Sequence, residues 1–328
     1  MKQVTITLCL ALIVCFSGVM AQQEESFKPS GKPEVRIYTN FTSSFSDGDN
    51  FNKFDITRAY LGYIYNFSKN FRGRITYDVG NPGAGKNLYS GFLKFAYLQY
   101  HNEKFSMMGG MIPLYQYSIT DEKWGYRYIL NPYSSEYGFI TPADLGIGAE
   151  YKFAPWLSAD LILVNGEGFK TVEGDSTFKA GAAINIYPVE NLLVRAYFDS
   201  MKKDEANQQT TEVFAVYENK TFKLLGSYTH QNDHGLVLGN EYSGYTFSGS
   251  LFLKNVTLIG RYDKLESVTK SSAIRPWNIA KDGQFFLAGF EFVPVKGVMV
   301  SPNYQGWKPA DSNKPYISRF SVHVDIKI

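Results

Sequence analysis

The chain is 328 residues long and nearly neutral, with 33 Lys and Arg against 31 Asp and Glu and a formal net charge of +2, which leaves no electrostatic case for a nucleic-acid partner. Past the N-terminus no apolar run approaches the ~20 residues of a membrane-spanning helix, so a bundle of such helices is excluded. Yet 24 Tyr and 25 Phe accompany a mean hydropathy of −0.22, the composition of strands with one apolar face, as in an outer-membrane barrel.

In chain order, residues 1–21 are expected to be a signal peptide: Lys2 gives a positive start, 4–19 an apolar stretch, and Val19-Met20-Ala21 a small-residue cleavage site. Bulky Ile13 and Val14 before Cys15 argue against a lipoprotein signal. Both cysteines, Cys9 and Cys15, fall in this segment, so the mature chain has no disulfide, thiolate metal site or cysteine nucleophile. Residues 22–33 are expected to form a short periplasmic lead-in, and 34–328 a single barrel domain.

Period-2 alternation then predicts about sixteen strands, at 34–46, 54–67, 71–80, 92–100, 104–115, 144–153, 156–165, 177–187, 192–202, 210–217, 221–231, 242–253, 256–265, 284–293, 297–307 and 316–328. After every even strand the connection is short, as at 68–70, 101–103 and 154–155; after every odd strand it is longer and rich in Gly, Asp, Asn and Ser, as at 47–53, 81–91, 166–176 and 232–241. Strict alternation puts all turns on one rim and all loops on the other, as periplasmic turns and extracellular loops. The expected fold is an all-β, transmembrane, antiparallel up-and-down barrel. A soluble sandwich has no reason to keep that alternation.

The last strand shows the two faces most plainly. Arg319, Ser321, His323, Asp325 and Lys327 alternate with Phe320, Val322, Val324, Ile326 and Ile328. It is expected to pair with the first strand, leaving no unsatisfied edge in lipid, and to carry the signal read by the barrel-assembly machinery. A charge facing midplane lipid would cost about 2–4 kcal/mol, so the charged faces must look into a wet lumen. Aromatic residues beside the short turns, such as Tyr65, Phe67, Tyr151, Phe153 and Trp156, are expected to form an interfacial girdle in outer-membrane lipid.

Inward-facing Arg36, Arg58, Arg72, Arg74, Lys94 and Arg319 come from the first four strands and the last, which become neighbours on closure. One wall is therefore expected to be basic. The third long loop, 116–142, holds Asp121, Glu122, Lys123, Trp124, Tyr126, Arg127, Tyr128, Tyr133, Glu136 and Tyr137. That content argues against disorder, and the loop is expected to fold into the lumen and narrow it; an external lid is the alternative. The expected pore lining and constriction is thus Arg36, Arg58, Arg72, Arg74, Lys94, Arg319, Asp121, Glu122, Lys123 and Arg127, with a transverse field if Asp121 and Glu122 stand opposite the basic wall. The plainer expectation is that these are solvated lumen charges paired with Asp78 and similar groups.

Several stretches also resemble a known family. Arg58-Ala59-Tyr60-Leu61-Gly62, then Phe71-Arg72-Gly73-Arg74-Ile75-Thr76-Tyr77-Asp78, Ala96-Tyr97-Leu98-Gln99-Tyr100 and Gly109-Gly110-Met111-Ile112-Pro113-Leu114 are similar in succession to the phosphate-selective porins O and P. Asn165-Gly166-Glu167-Gly168 resembles a further element of that group. The resemblance covers about the first half of the mature chain. It implies a sixteen-stranded, trimeric diffusion porin of a Gram-negative outer membrane. It does not carry phosphate over as substrate, because the arginines here are scattered and the lysines few.

Other motifs carry no chemistry. Gly80-Asn81-Pro82-Gly83-Ala84-Gly85-Lys86-Asn87 imitates a phosphate-binding loop, but Asn87 replaces the Ser/Thr that holds Mg²⁺ and a strand pattern follows instead of a helix. His230 and His234 have no helix to fix a metal spacing, and His323 faces the lumen without an evident partner. No catalytic constellation, cofactor or metal site is expected. The expected function is passive diffusion of small hydrophilic solutes, anions among them, through a water-filled lumen. The alternative is a barrel whose extracellular loops act as adhesin or receptor.

Overall fold

The computed structural model describes residues 27–80, 89–174, 176–269 and 281–328. The expected signal peptide and most of the Gly80–Asn87 motif lie outside the described residues. Sixteen strands run in chain order as β1 (Ser30–Ser46), β2 (Asp49–Asn66), β3 (Phe71–Gly80), β4 (Ser90–His101), β5 (Phe105–Pro113), β6 (Ala143–Ala154), β7 (Leu157–Val164) and β8 (Lys179–Ile186). They continue as β9 (Leu192–Lys203), β10 (Ala206–Glu218), β11 (Phe222–Asn232), β12 (Asn240–Phe252), β13 (Thr257–Thr269), β14 (Gly283–Val295), β15 (Val298–Pro309) and β16 (Ile317–Lys327). Two helices, α1 (Tyr115–Trp124) and α2 (Tyr133–Glu136), lie between β5 and β6.

Each strand pairs antiparallel with its sequence neighbours, and β1 pairs with β16, so the sheet is a closed barrel. Closure satisfies every edge, which lipid demands because it offers backbone groups no hydrogen-bond partner. The pleat sends alternate side chains in and out. On β16 Ser321, His323 and Asp325 are buried, while Phe320 and Val322 are exposed. Leu61, Tyr63, Leu161, Leu163, Phe198, Leu224, Phe247, Phe286 and Phe290 are exposed on other strands. An apolar exterior of that kind suits hydrocarbon.

Two expected loops are corrected. β1 and β2 run on to a hairpin at Asp47-Gly48, both with positive φ (48° and 85°), where 47–53 was expected as a longer loop. Asp-Gly in that conformation matches the right-handed twist of the flanking strands. Likewise β9 and β10 meet at a two-residue turn, Asp204-Glu205, because Ala206 and polar residues 207–209 continue the ladder. β1 begins at Ser30, four residues before the expected first strand.

The interior is not uniformly wet. Trp124, Tyr126, Tyr128 and Ile129 of the long loop pack with inward-facing Tyr38, Ile259, Phe285 and Leu287. Tyr117, Tyr133, Tyr137, Phe139 and Ile140 pack with Met108, Ile112, Ile162, Val164, Tyr242 and Leu265. An apolar core therefore sits inside the barrel, where the loop covers those faces of the wall.

Candidate functional site

The loop after β5 reaches the inward faces of β9 to β14 through polar contacts from chemically different groups. Arg195 Nε on β9 donates to Gln116 Oε1 at 2.6 Å, and its other nitrogens donate to Asp160 and Asn185. On β11, Lys223 Nζ donates to Trp124 O at 3.3 Å and Gln231 Nε2 to Phe139 O at 3.1 Å. Arg261 on β13 donates to Asn131 O at 2.7 Å, and Tyr133 and Tyr137 donate to Lys264 O and Asp263 Oδ2. Tyr128 donates to Glu291 Oε2 on β14 at 2.7 Å. These bonds satisfy buried and half-buried polar groups that would otherwise cost free energy, and they hold the loop against that wall.

Seated there, α1 stands opposite β1 to β4. It has no side-chain N-cap and ends at Gly125, whose positive φ (81°) lets its N–H close on Asp121 O. Between α1 and the wall lies a cavity of about 530 Å³. The wall contributes Arg36, Arg74, Lys94 and Glu34, and the loop contributes Asp121, Glu122 and Arg127. Tyr38, Tyr60, Phe95 and Tyr117 fill the space between these charges.

Local backbone irregularity sets this lining. A register shift opposite Thr76 and Tyr77 leaves Lys94 unpaired in the ladder, so Lys94 and Phe95 are both buried, at 2% and 9% exposure. Bulges re-aim side chains in this way. Lys94 Nζ then lies 4.5 Å from the Tyr60 ring centroid and 3.9 Å from Asp78 Oδ2. The Arg74 guanidinium lies 4.6 Å over Phe95, and Arg127 lies between the Tyr60 and Tyr117 rings at 5.6 and 5.1 Å. Ring faces attract such cations and hold them in place.

The charges are largely paired. Arg36 contacts Asp325 at 2.5 Å, Arg74 contacts Glu34 at 2.7 Å and Arg58 contacts Asp78 at 3.3 Å. Arg127 lies 3.7 Å from Asp121, and Lys123 lies 3.1 Å from Glu122. Burial pushes the Asp121 carboxyl up to about 6, against the pull of Lys94 and Arg36. Asp121 Oδ1 is buried and accepts no hydrogen bond.

Six of the ten expected site residues, Arg36, Arg74, Lys94, Asp121, Glu122 and Arg127, thus share one cavity. Arg58 stands beside it on Asp78. Arg72 donates to Gln99 Oε1 nearer the β2–β3 turn. Arg319 is apart from this group: it pairs with Ser44, eight positions along β1 from Arg36, or roughly 26 Å at the usual rise per residue. The expectation that closure would bring it beside the basic wall is therefore corrected. Closure joins strands, but height along them decides contact. His323 has a partner after all, Asn303 Nδ2 at 2.9 Å from Nδ1.

The ring residues Tyr60, Phe95 and Tyr117 were not legible as part of the site. A lumen-facing ring in a strand reads like any sheet former, and the bulge that turns Phe95 inward has no sequence mark. Among the described residues no group of three or more His, Cys, Asp or Glu could hold a metal.

No family profile matches the chain, and no curated protein matches it. Solved structures do. The outer-membrane channel DcaP of Acinetobacter baumannii superposes with a TM-score of 0.64 at 15% identity, over 94% of this chain and 100% of that one. The anion-selective porin from Comamonas acidovorans gives 0.66 at 9% identity, over 92% and 100%. OmpF of Salmonella typhi, solved with daunomycin, gives 0.66 at 13% identity, over 90% and 97%. The chain has the porin fold. At such identities the likeness is one of fold alone, and the porin fold here encloses the α1 cavity just described.

Proposed function

We propose that the protein is an outer-membrane porin through which small hydrophilic solutes diffuse passively, with residues 116–142 narrowing the lumen. The observation that carries this reading is a charged, aromatic-lined cavity left open between α1 and the wall of a closed barrel whose exterior is apolar. The exterior supports residence in a bilayer, and a barrel without membrane helices is a form in which strands can cross one. The basic wall supports passage of anions among the solutes, although its pairing with Glu34, Asp78 and Asp325 makes any anion preference modest. The sequence resemblance to the phosphate-selective porins O and P supports the same class and a homotrimer.

Planar-bilayer recording of the purified full-length barrel tests the proposal. Steady open conductance, rising with salt, is expected. A barrel that inserts and stays silent would overturn the reading in favour of a receptor or adhesin.

A further inference from the structure

Behind the loop, the inward faces of β9, β10 and β11 carry buried oxygens that find no hydrogen-bond partner among the described residues. They are Asp199 Oδ1, Glu212 Oε2, Thr229 Oγ1 and Gln231 Oε1, and α2 of the loop adds Ser134 Oγ. The register gathers them. Glu212 on β10 stands between Tyr197 on β9 and Thr229 on β11, and two residues along β10 Thr210 stands between Asp199 and Gln231. Gln231 Nε2 donates to Thr210 Oγ1 at 2.6 Å and to Phe139 O, and Tyr197 donates to Asp199 Oδ2 at 2.6 Å, so both side chains are fixed. Ser134 and Gln116 of the loop face Glu212 without completing a hydrogen bond to it.

The two carboxylates face each other and share one cation, Arg195. Its donors are taken by Gln116, Asp160 and Asn185, so among the described residues no ion pair neutralises Asp199 or Glu212. Buried charges left in that state are costly.

We propose that these oxygens form a calcium site that pins α2 of the loop to β9, β10 and β11. Calcium takes oxygen ligands of mixed kind in a flexible geometry, and water can complete its shell. Two carboxylates match its charge, and neutral hydroxyl and amide oxygens make up the rest of the set. Magnesium fits less well, because it demands a near-octahedral shell and gives up its own water reluctantly. The site lies apart from the α1 cavity, and its occupancy is measured without reference to solute passage.

Equilibrium dialysis of the chelator-treated full-length barrel against calcium alone tests this. One calcium per barrel is expected at about 1 mM, the range of weak extracellular sites, and an equal concentration of magnesium should not displace it. The heat-modifiability transition should rise as calcium is added, since a ion bound only by the folded state stabilises it. Glu212→Gln and Asp199→Asn should each weaken binding about tenfold or more, because ligand charge sets affinity. Thr229→Val, which keeps both carboxylates and so disturbs folding least, should weaken it by a smaller factor. Absence of stoichiometric calcium on the unsubstituted barrel would overturn the site. So would calcium held as tightly by a folded Glu212→Gln or Thr229→Val barrel as by the parent.

Discussion

Arg195 on β9 donates from Nε to Gln116 Oε1 at 2.6 Å and pairs with Asp160 at 2.5 Å, so one fully buried guanidinium ties the first turn of α1 to the wall. Removing it breaks the anchor of the loop and leaves Asp160 as an unpaired buried charge.

Arg195→Ala is therefore expected to destabilise the barrel by about 3–5 kcal/mol and to free the start of α1. The measurements are the temperature of the heat-modifiability transition and single-channel noise. A lower transition with larger, noisier conductance is the expected result, and unchanged values of both would show that Arg195 does not hold the loop.

Acidification should act through Asp121. Its carboxyl, pushed up to about 6 by burial, is charged at pH 7.5 and mostly neutral at pH 5. The groups that face it are the cations Lys94, Arg36 and Arg127, so protonation removes a negative charge from a cavity that keeps its positive ones. The reversal potential in a salt gradient should move toward anion preference as pH falls through about 6. Asp121→Asn should sit at the acidic value at both pH values. A wild-type shift that persists in Asp121→Asn would assign the effect elsewhere.

Replacing Arg58, Arg72 and Arg74 together with Gln takes three positive charges from the wall and leaves Asp78 and Glu34 without their arginine partners. Charge on a lumen wall selects ions at close range. The anion-over-cation permeability ratio should fall, and reversal potentials identical to the parent's would sink the assignment of these residues to the solute path.

Deletion of residues 325–328 should abolish assembly. It removes Asp325, whose carboxylate accepts from Arg36 Nε and Nη2, and it removes the β16 positions opposite residues 36–38 of β1. Closure would be lost where the first and last strands meet. The assay is heat-modifiable migration of membrane-inserted protein; a normal folded band from the truncated chain would show that the seam tolerates the gap.

Much of the barrel was legible because strand signals are local. Alternation within a strand is set by the pleat, so Arg72, Arg74, Asp78, Asp160, Asp199 and Asp263 could be assigned inward without knowing any neighbour. Turn chemistry gave the connections almost as well. It failed at 49–53 and 206–209, where mostly polar residues that read as loop continue a strand beyond the apolar band.

The sequence by itself determined the strand number and the inward face of charges such as Arg72, Arg74 and Asp78, since both follow from periodicity. The tertiary structure alone decided which charges meet. Arg36 lies against Asp325 because β1 and β16 pair in one register, and Arg319 lies far from both because that same register sets it eight positions up the wall. Lys94 and Phe95 share the cavity because a bulge turns both inward, and Asp121 faces them because Arg195, Arg261, Tyr133 and Tyr137 seat the loop on the opposite side. Register, bulges and loop seating are contacts between residues distant in the chain, and their energies appear only when the barrel has closed.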